Sequence, residues 1–461
     1  MTGLDRALAT ASPRMSRRGP AVTGWLIHLV VIALWVALFL QAFFRVGVGF
    51  WSIGIAYIAY DTLLLAFVFW QTLPMLKSTP PNAAASRPTV GVLIAAYNEA
   101  AVLPVTLRGL LAQQDPPEVI LIADDGSTDG TPDALDEQFG DQYSQLHLLR
   151  LRHGGKAKAL NAALLAAATD IVVTMDADTL PAPDAIGAIR RAFADTPQLV
   201  VAGGVLTPVC GKTLRNKVLQ WFQTYEYLGN FVSRYAWMRL NSLLLVSGAF
   251  AGFRRDALLT VGGFDPDCLV EDYELIHRIQ RHSRDNALGW RVEIVGRAVA
   301  QTEAPGTIRD FLRQRRRWFG GFLQTQYWNR DMVGNPRYRC LGLVMLPVKA
   351  ADTMEPVYGL SALALLIVLL IAGNAAILLP IGTIVVAKLV LDLLAYLWTI
   401  RLYRHWTGLT DTTHFGSALL AAVVEPFTFI PLLHTGGVLG WWQFLTGRRT
   451  WIPQRRTRFA T

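Results

Sequence analysis

Carboxylates follow two apolar runs in the middle of this chain. Asp124-Asp125 comes after residues 119–123, and Asp176-Ala177-Asp178 begins where residues 171–175 end. Short apolar runs are typical of buried strands, and the carboxyl ends of parallel strands lie along one edge of a sheet. Carboxylates gathered there repel one another unless a cation or a ligand donor offsets their charge. Asp176 and Asp178 could share Mg²⁺ or Mn²⁺, although this tripeptide alone fits a solvated turn better.

Two loops have the composition of nucleotide-binding segments. Residues 124–131 are turn-forming throughout and supply caps for a following helix. They predict either a plain strand-to-helix loop or a carboxylate contact to ribose and base. Within residues 153–161, Lys156 follows two glycines at an expected helix start, which suits a diphosphate. The loop is not a Walker A motif, because Ala157 follows the lysine, and the chain shows no G-x-G-x-x-G after a strand.

Two later clusters offer a candidate base and a cationic helix. Val270-Glu271-Asp272 opens a predicted helix after a glycine-rich turn. Acidic residues are favourable in a first helical turn in any case, but Asp272 could also remove a proton from an acceptor hydroxyl. Residues 314–318, Gln-Arg-Arg-Arg-Trp, lie on another predicted helix. A basic helix beside a membrane is usually a lipid-surface anchor, yet its tryptophan could stack on a sugar and an arginine could neutralise a diphosphate.

Alternating apolar and amphipathic runs must position these groups. Strands are predicted at residues 90–95, 119–123, 147–150 and 171–175, and helices at 100–113, 132–139, 156–168, 182–194, 215–235 and 307–322. This alternation is typical of βαβ units and predicts an α/β domain with a mainly parallel sheet. Tyr97-Asn98-Glu99 then joins the acidic clusters at the strand ends.

Apolar stretches flank this domain. The 461-residue chain has a mean hydropathy of +0.33, and its apolar stretches are residues 25–44, 50–75, 357–400 and 417–445. A spanning helix needs about 20 apolar residues, so the first two each qualify and the third holds two, broken near Gly373-Asn374. Prolines and glycines interrupt the last stretch, which predicts one span, a hairpin or an interfacial segment. The expected units are residues 1–86 (tail, two membrane helices and linker), 87–338 (soluble domain) and 339–461 (interfacial and membrane helices with a basic tail).

The distribution of arginines predicts the membrane topology. Arg14, Arg17 and Arg18 precede the first stretch, and five arginines lie between residues 448 and 458 of this chain of net charge +9. Because basic flanks remain in the cytosol, we expect a multi-pass inner-membrane protein with a cytosolic domain and cytosolic termini. This placement favours a lipid bilayer over nucleic acid as a partner. The first apolar stretch is longer than the apolar core of a secretory signal peptide, and no small-residue cleavage site follows it. Both features favour a helix that is retained in the mature protein. Three scattered cysteines fit a reducing compartment.

Together and in this order, the clusters resemble the family 2 membrane glycosyltransferases, a group that includes cellulose, hyaluronan, chitin and bacterial poly-N-acetylglucosamine synthases. The similarity spans residues 89–318 and the flanking helices. The family's first strand commonly ends in Pro-x-Tyr-Asn-Glu, and here Ala95 replaces the proline. The family's Thr-Glu-Asp is similar to Val270-Glu271-Asp272, with valine in place of threonine. The Q-x-x-R-W signature matches fully within residues 314–318.

The resemblance implies a nucleotide-diphospho-sugar transferase (GT-A-like) domain and assigns roles by position. The residues implied for the nucleotide-sugar are Tyr97, Glu99, Asp124, Asp125, Lys156, Asp176 and Arg317. Those implied for the metal, Mg²⁺ or Mn²⁺, are Asp178 and Asp176. Asp272 would be the catalytic base with Glu271 beside it. Ser247, Gly248, Gln314 and Trp318 would contact the acceptor, on the loop of residues 247–250 and on the signature helix.

The implied reaction is an inverting transfer from a UDP-sugar, with UDP-glucose or UDP-N-acetylglucosamine favoured, to a growing polysaccharide through a β-linkage. A non-processive enzyme that adds a single sugar to a membrane lipid is the alternative, because ceramide glucosyltransferases have a similar signature. A non-catalytic nucleotide-binding membrane protein is a third interpretation, which the presence of both Asp178 and Asp272 opposes. No pattern identifies an accessory export partner.

Overall fold

The computed structural model describes residues 3–15, 19, 21–44, 47–76, 86–373, 375–409 and 414–447. Arg17, Arg18, Asn374, most of the predicted linker and the arginines of residues 448–458 lie outside these ranges.

The strands of the described residues form one mixed sheet. They are β1 (Val90–Ala96), β2 (Val119–Asp124), β3 (Leu146–Arg150), β4 (Ile171–Asp176), β5 (Thr179–Pro181), β6 (Leu199–Val209), β7 (Phe250–Arg254) and β8 (Arg291–Glu303). Their order is β3-β2-β1-β4-β7-β6-β8-β5. Pairing is parallel from β3 to β4 and between β6 and β8, whereas β7 runs antiparallel to both neighbours and β5 antiparallel to β8. The mostly parallel α/β sheet predicted from the sequence is confirmed, and its four predicted strands are found within one residue at each end.

The described residues form sixteen α-helices, some packed on the sheet and others apolar. They are α1 (Gly3–Ala11), α2 (Val22–Phe44), α3 (Ser52–Thr72), α4 (Leu103–Leu111), α5 (Thr131–Gln138), α6 (Lys156–Ala166), α7 (Ala185–Asp195), α8 (Leu214–Arg239), α9 (Arg255–Thr260), α10 (Glu271–Asp285), α11 (Ile308–Trp328), α12 (Leu346–Asp352), α13 (Glu355–Ala372), α14 (Ala375–Thr407), α15 (Phe415–Val424) and α16 (Phe429–Leu445). α6 packs on β1 and β2, and α7 and α8 pack on β6 and β8. Because β1, β2 and β4 are almost entirely buried aliphatic strands, they need helical cover on both faces.

Four helices are long and apolar enough to cross a bilayer. Within the described residues these segments are Val22–Gln41, Gly49–Leu76, Glu355–Ala372 and Leu378–Thr407. The predicted break in the third apolar stretch is found at Gly373, which ends α13 with a φ of +66°. The last stretch, for which the sequence left three options, forms α15 and α16, bent by 48° where residues 425–428 leave the α-helical path.

Two long helices of the central domain lie against the apolar helices. On α8, the Trp237 ring lies 4.5 Å from Phe67 of α3 and the Tyr225 ring lies 5.9 Å from Tyr396 of α14. On α11, Gly320 faces α16 so closely that a Cβ added at Gly440 would lie 2.9 Å from the Gly320 nitrogen. Small residues thus bring the backbones of α11 and α16 together. The helix that carries Gln314, Arg317 and Trp318 is therefore in direct contact with the apolar helices.

The start of the predicted N-terminal tail is packed on the central domain. α1 packs against α9, with Leu4 and Leu8 buried. Arg14, grouped by the sequence with the membrane-flanking arginines, pairs instead with Asp265 and Asp267 of the central domain. The short helix is amphipathic, so its apolar side gains burial by docking on the domain.

Candidate active site

The loop that precedes α6 is folded around Asp125. One Asp125 carboxylate oxygen accepts a hydrogen bond from the Gly154 N–H at 2.7 Å, and the other accepts one from the Gly155 N–H at 2.9 Å. The His153 ring nitrogen lies 2.9 Å from the same carboxylate. Gly155 has a φ of +95°, a backbone conformation that favours glycine. Asp125 therefore orders the two glycines directly before Lys156, the first residue of α6.

The Tyr97-Asn98-Glu99 segment and the loop after β2 form one unit. Asn98 has a φ of +58°, and its side-chain oxygen accepts a hydrogen bond from the Thr128 N–H at 2.8 Å. The Glu99 N–H donates to the Thr131 hydroxyl at 2.9 Å. The Tyr97 ring stands 4.4 Å from the ring of His153. These contacts place two predicted nucleotide motifs side by side.

Asp124 is a buried carboxylate at the end of β2, with 3% of its surface exposed. One of its oxygens lies 3.3 Å from the Ser127 N–H. No described residue donates a hydrogen bond to the other oxygen, which is fully buried. A buried carboxylate oxygen without a hydrogen bond costs folding free energy. Asp124 is therefore suited to accept a hydrogen bond from a bound ligand at this edge of the sheet.

Lys156 connects the donor-side carboxylates to the candidate base segment. Its ammonium lies 2.6 Å from Asp176, at the end of β4, and 3.4 Å from Glu271, at the start of α10. Burial works against its charge, but the carboxylates of Asp176 and Glu271 hold the pKa of Lys156 above its ordinary value. Lys156 is therefore a fixed positive charge beside the β4 end.

Asp178 lies in the turn between β4 and β5. The Thr106 hydroxyl fixes this turn by donating to the Ala177 carbonyl at 2.7 Å. Asp178 is 8% exposed, and one carboxylate oxygen lies 3.5 Å from the Thr302 hydroxyl. Across the described ranges, no group of three or more His, Cys, Asp or Glu side chains could hold a metal. Asp176 and Asp178 are the two carboxylates at this end of β4.

Asp272, in the first turn of α10, is held by two backbone donors. The Gly248 N–H donates to one carboxylate oxygen at 2.8 Å, and the Tyr273 N–H donates to the other at 2.9 Å. Burial and the neighbouring Glu271 raise the pKa of Asp272, while the Gly248 N–H and the charge of Lys156 oppose this rise. A carboxylate with a raised pKa is a stronger base, which suits proton removal from a hydroxyl.

The predicted acceptor loop is shorter than the sequence indicated. Gly248 does lie beside Asp272, and Ser247 precedes it in the chain. Phe250, however, begins β7 and is completely buried in the core. The strand begins there because Phe250 pairs with Met175 of β4.

The signature helix α11 is held to the domain by its polar residues. Arg317 donates to the Leu269 carbonyl at 3.2 Å, just before the base segment. Trp318 lies under the Arg315 guanidinium, with 4.6 Å from the central carbon to the ring centroid. The side-chain amide oxygen of Gln314 is buried, and no hydrogen-bond donor among the described residues reaches it. Arg317 thus ties α11 to the residue before Val270, and Trp318 packs against the buried cluster that contains Val270 and Tyr273.

Sequence reasoning missed a charged row on α8. Glu226 accepts hydrogen bonds from both terminal nitrogens of Arg315, at 2.5 and 2.7 Å. Arg234, two turns further along, lies over the Phe231 ring at 4.6 Å. Burial lowers the pKa of Arg234 to about 10, and Asp272 is among the acidic groups that oppose this. The detectable signal was the helical spacing of polar residues in a helix otherwise rich in aromatic side chains.

The chain is similar to several characterised proteins. The family model described as Glycosyl transferase family 2 matches residues 91–262. Poly-beta-1,6-N-acetyl-D-glucosamine synthase of Staphylococcus epidermidis is 28% identical over 247 residues, which are 52% of this chain and 57% of that protein. The enzyme of the same name from Staphylococcus aureus (strain COL) is 29% identical over 233 residues, which are 50% of this chain and 53% of that protein. The match therefore spans just over half the length of these relatives.

A solved structure extends the similarity to the apolar helices. The mannosyltransferase PcManGT from Pyrobaculum calidifontis, in complex with GDP-Man and Mn²⁺, superposes with a TM-score of 0.56 at 25% identity. The alignment covers 82% of this chain and 99% of that protein. Together with the sheet described above, these similarities show a GT-A-like glycosyltransferase fold in which residues 91–262 match glycosyltransferase family 2.

Proposed function

We propose that this protein is an inverting, metal-dependent membrane glycosyltransferase that transfers a sugar from a UDP-sugar to a growing polysaccharide through a β-linkage. The observation that carries the proposal is the position of Lys156, whose ammonium contacts Asp176 of the donor side and Glu271 of the base segment. One residue thereby joins Asp176, a carboxylate suited to a diphosphate-bound cation, to Glu271, the residue directly before the proposed base Asp272.

The donor would bind along the carboxyl ends of β1, β2 and β4. Tyr97 offers an aromatic face, and Glu99, Asp124 and Asp125 offer acceptors for base and ribose groups. Lys156 would neutralise the diphosphate, with Arg317 contributing from α11. Mg²⁺ or Mn²⁺ on Asp178 and Asp176 would supply positive charge that stabilises the leaving diphosphate. UDP-glucose and UDP-N-acetylglucosamine are the favoured donors.

Asp272 would act as the general base on the acceptor hydroxyl. Its carboxylate is fixed by the Gly248 N–H, and Ser247 and Gly248 would line the acceptor side. A single displacement at the anomeric carbon, with the proton passing to Asp272, inverts the configuration and gives a β-linkage from an α-linked donor. Trp318 and Gln314 would hold the acceptor sugar on the membrane side.

Polar side chains among the apolar helices support a glycan acceptor. Lys388 of α14 pairs with Asp61 of α3 at 2.7 Å and with Asp392, four residues further along its own helix. Tyr396 of α14 donates to Glu425. Charged groups within membrane helices commonly mark a substrate path. The named relatives are likewise polysaccharide synthases.

The proposed location is the inner membrane, with a cytosolic catalytic domain. Candidate spans surround the domain in sequence, and α8 and α11 lie against them. The positive-inside rule places the basic flanks, and with them the donor site, in the cytosol, where nucleotide-sugars are available. The partners of this enzyme are therefore a UDP-sugar, a glycan acceptor and the bilayer.

The test is a donor screen with purified protein in lipid. UDP-N-acetylglucosamine, UDP-glucose and GDP-mannose would be compared by free nucleotide and by product length. Polymer from a UDP-sugar supports the proposal, a single-sugar lipid product supports the lipid acceptor, and turnover with GDP-mannose alone overturns the donor assignment.

Two variants separate chemistry from acceptor binding in the same assay. Asp272→Asn should bind donor and lose about 10²–10⁴ in transfer rate. Trp318→Ala should bind donor and lose acceptor affinity while retaining slow donor hydrolysis. Transfer by Asp272→Asn at the wild-type rate would place the base elsewhere.

A further inference from the structure

The loop of residues 261–270 connects α9 to the base segment and is packed tightly at its start. Gly262 has a φ of +89°, and a Cβ added there would lie 2.2 Å from the Leu8 nitrogen of α1. Asn161 of α6 accepts a hydrogen bond from the Phe264 N–H and donates to the Phe264 carbonyl, both at 2.8 Å. The start of the loop is therefore tied to α1 and to the helix that carries Lys156.

The second half of the loop is held by long side chains from two directions. Gln324 of α11 accepts a hydrogen bond from the Leu269 N–H at 3.1 Å, and Arg317 donates to the Leu269 carbonyl. From the other side, Arg14 donates to both Asp265 carboxylate oxygens at 3.1 Å and lies 2.9 Å from Asp267. The loop ends at Val270, directly before Glu271 and Asp272.

The Arg14–Asp265 contact is the buried one of the two ion pairs. The Asp265 side chain is fully buried, and Arg14 retains 20% exposure. Asp265 also accepts a hydrogen bond from the Asp267 N–H at 3.0 Å. A bidentate guanidinium matches a carboxylate in both charge and shape. Without Arg14, the buried carboxylate loses its cation, so the loop must shift to bring Asp265 to water.

We propose that Arg14, held in place by α1, is a positioning residue for the transfer reaction. It fixes Asp265 so that loop 261–270 keeps Glu271 against Lys156 and Asp272 against Gly248. The candidate span α2 follows Arg14 closely in the chain, which links the N-terminal membrane segment to the base. This proposal rests on the proposed function for its kinetic readout.

The experiment compares Arg14→Ala and Arg14→Lys with Arg6→Ala, which removes an exposed cation from α1. The full-length protein in lipid would be measured for kcat, UDP affinity with Mn²⁺, melting temperature, and hydrogen exchange over residues 263–272. Arg14→Ala should lower kcat about tenfold or more, because a base displaced from its productive geometry transfers the proton more slowly. UDP affinity should stay within about twofold, since the donor contacts lie elsewhere. Exchange should rise in the loop.

Arg14→Lys keeps the positive charge but cannot make the two parallel hydrogen bonds to Asp265, so it should recover part of kcat. Arg6→Ala should have the kcat of the wild type. A lower melting temperature with unchanged kcat and unchanged loop exchange would show a merely structural contact and overturn the proposal. If the wild type turns over no nucleotide-sugar, the proposed function fails. Loop exchange in Arg14→Ala then still decides whether Arg14 positions the base segment.

Discussion

Gly248→Ala tests whether the position of Asp272 limits the rate. The Gly248 N–H donates to Asp272 at 2.8 Å. A Cβ added at Gly248 would lie 3.0 Å from the Asp272 Cβ and 3.4 Å from its bound carboxylate oxygen. The Gly248 backbone is outside the left-handed region, so alanine fits it without strain. The substitution therefore acts through contact with Asp272, which must move by a few tenths of an ångström.

The magnitude follows from the hydrogen bond at risk. A hydrogen bond to a charged group contributes about 1.5–3 kcal/mol, and about 1.4 kcal/mol corresponds to a factor of ten in rate. Weakening this bond and displacing the base should lower kcat by about 10- to 100-fold. The KM for the donor should change by less than about twofold, because the proposed donor contacts are on other residues.

The assay measures initial rates of UDP release and of labelled product in lipid. The matched control is Gly416→Ala in the first turn of α15, where an added Cβ meets nothing within 4 Å. A kcat for Gly248→Ala within twofold of the wild type would refute the reasoning, because Asp272 would then tolerate displacement or would not be the base.

Asp178→Asn should abolish turnover at saturating Mn²⁺ while the protein still folds, because a hard cation loses a charged ligand; normal activity would refute the metal assignment. Since burial and Glu271 raise the pKa of Asp272 and a base must be ionised, kcat should fall with decreasing pH through a pKa above that of an ordinary aspartate. Glu271→Gln should move that decline to lower pH, and a decline at unchanged pH would contradict this electrostatic explanation. Asp61→Asn and Lys388→Met should couple by about 0.5–3 kcal/mol of unfolding free energy in a double-mutant cycle, whereas additive effects would reject the ion pair.

Local sequence patterns predicted the parallel half of the sheet and its helices. Strands buried on both faces require continuous apolar runs, so β1, β2 and β4 were distinct from the polar loops between them. The antiparallel half was not predicted. β5 has three residues, and β6, β7 and β8 are separated by long helices, so no local pattern indicates how they pair.

The amino-acid sequence by itself determined which residue types stand at the ends of the strands and at the starts of α6 and α10. That is because strand ends, glycine turns and helix starts depend on neighbouring residues. Tertiary structure alone decided that Lys156 contacts both Asp176 and Glu271. It also decided that Glu226 pairs with Arg315, and that Arg14 pairs with Asp265 of the central domain. These contacts join segments far apart in the chain, and the packing of the helices that carry them, rather than any local propensity, brings the charges together.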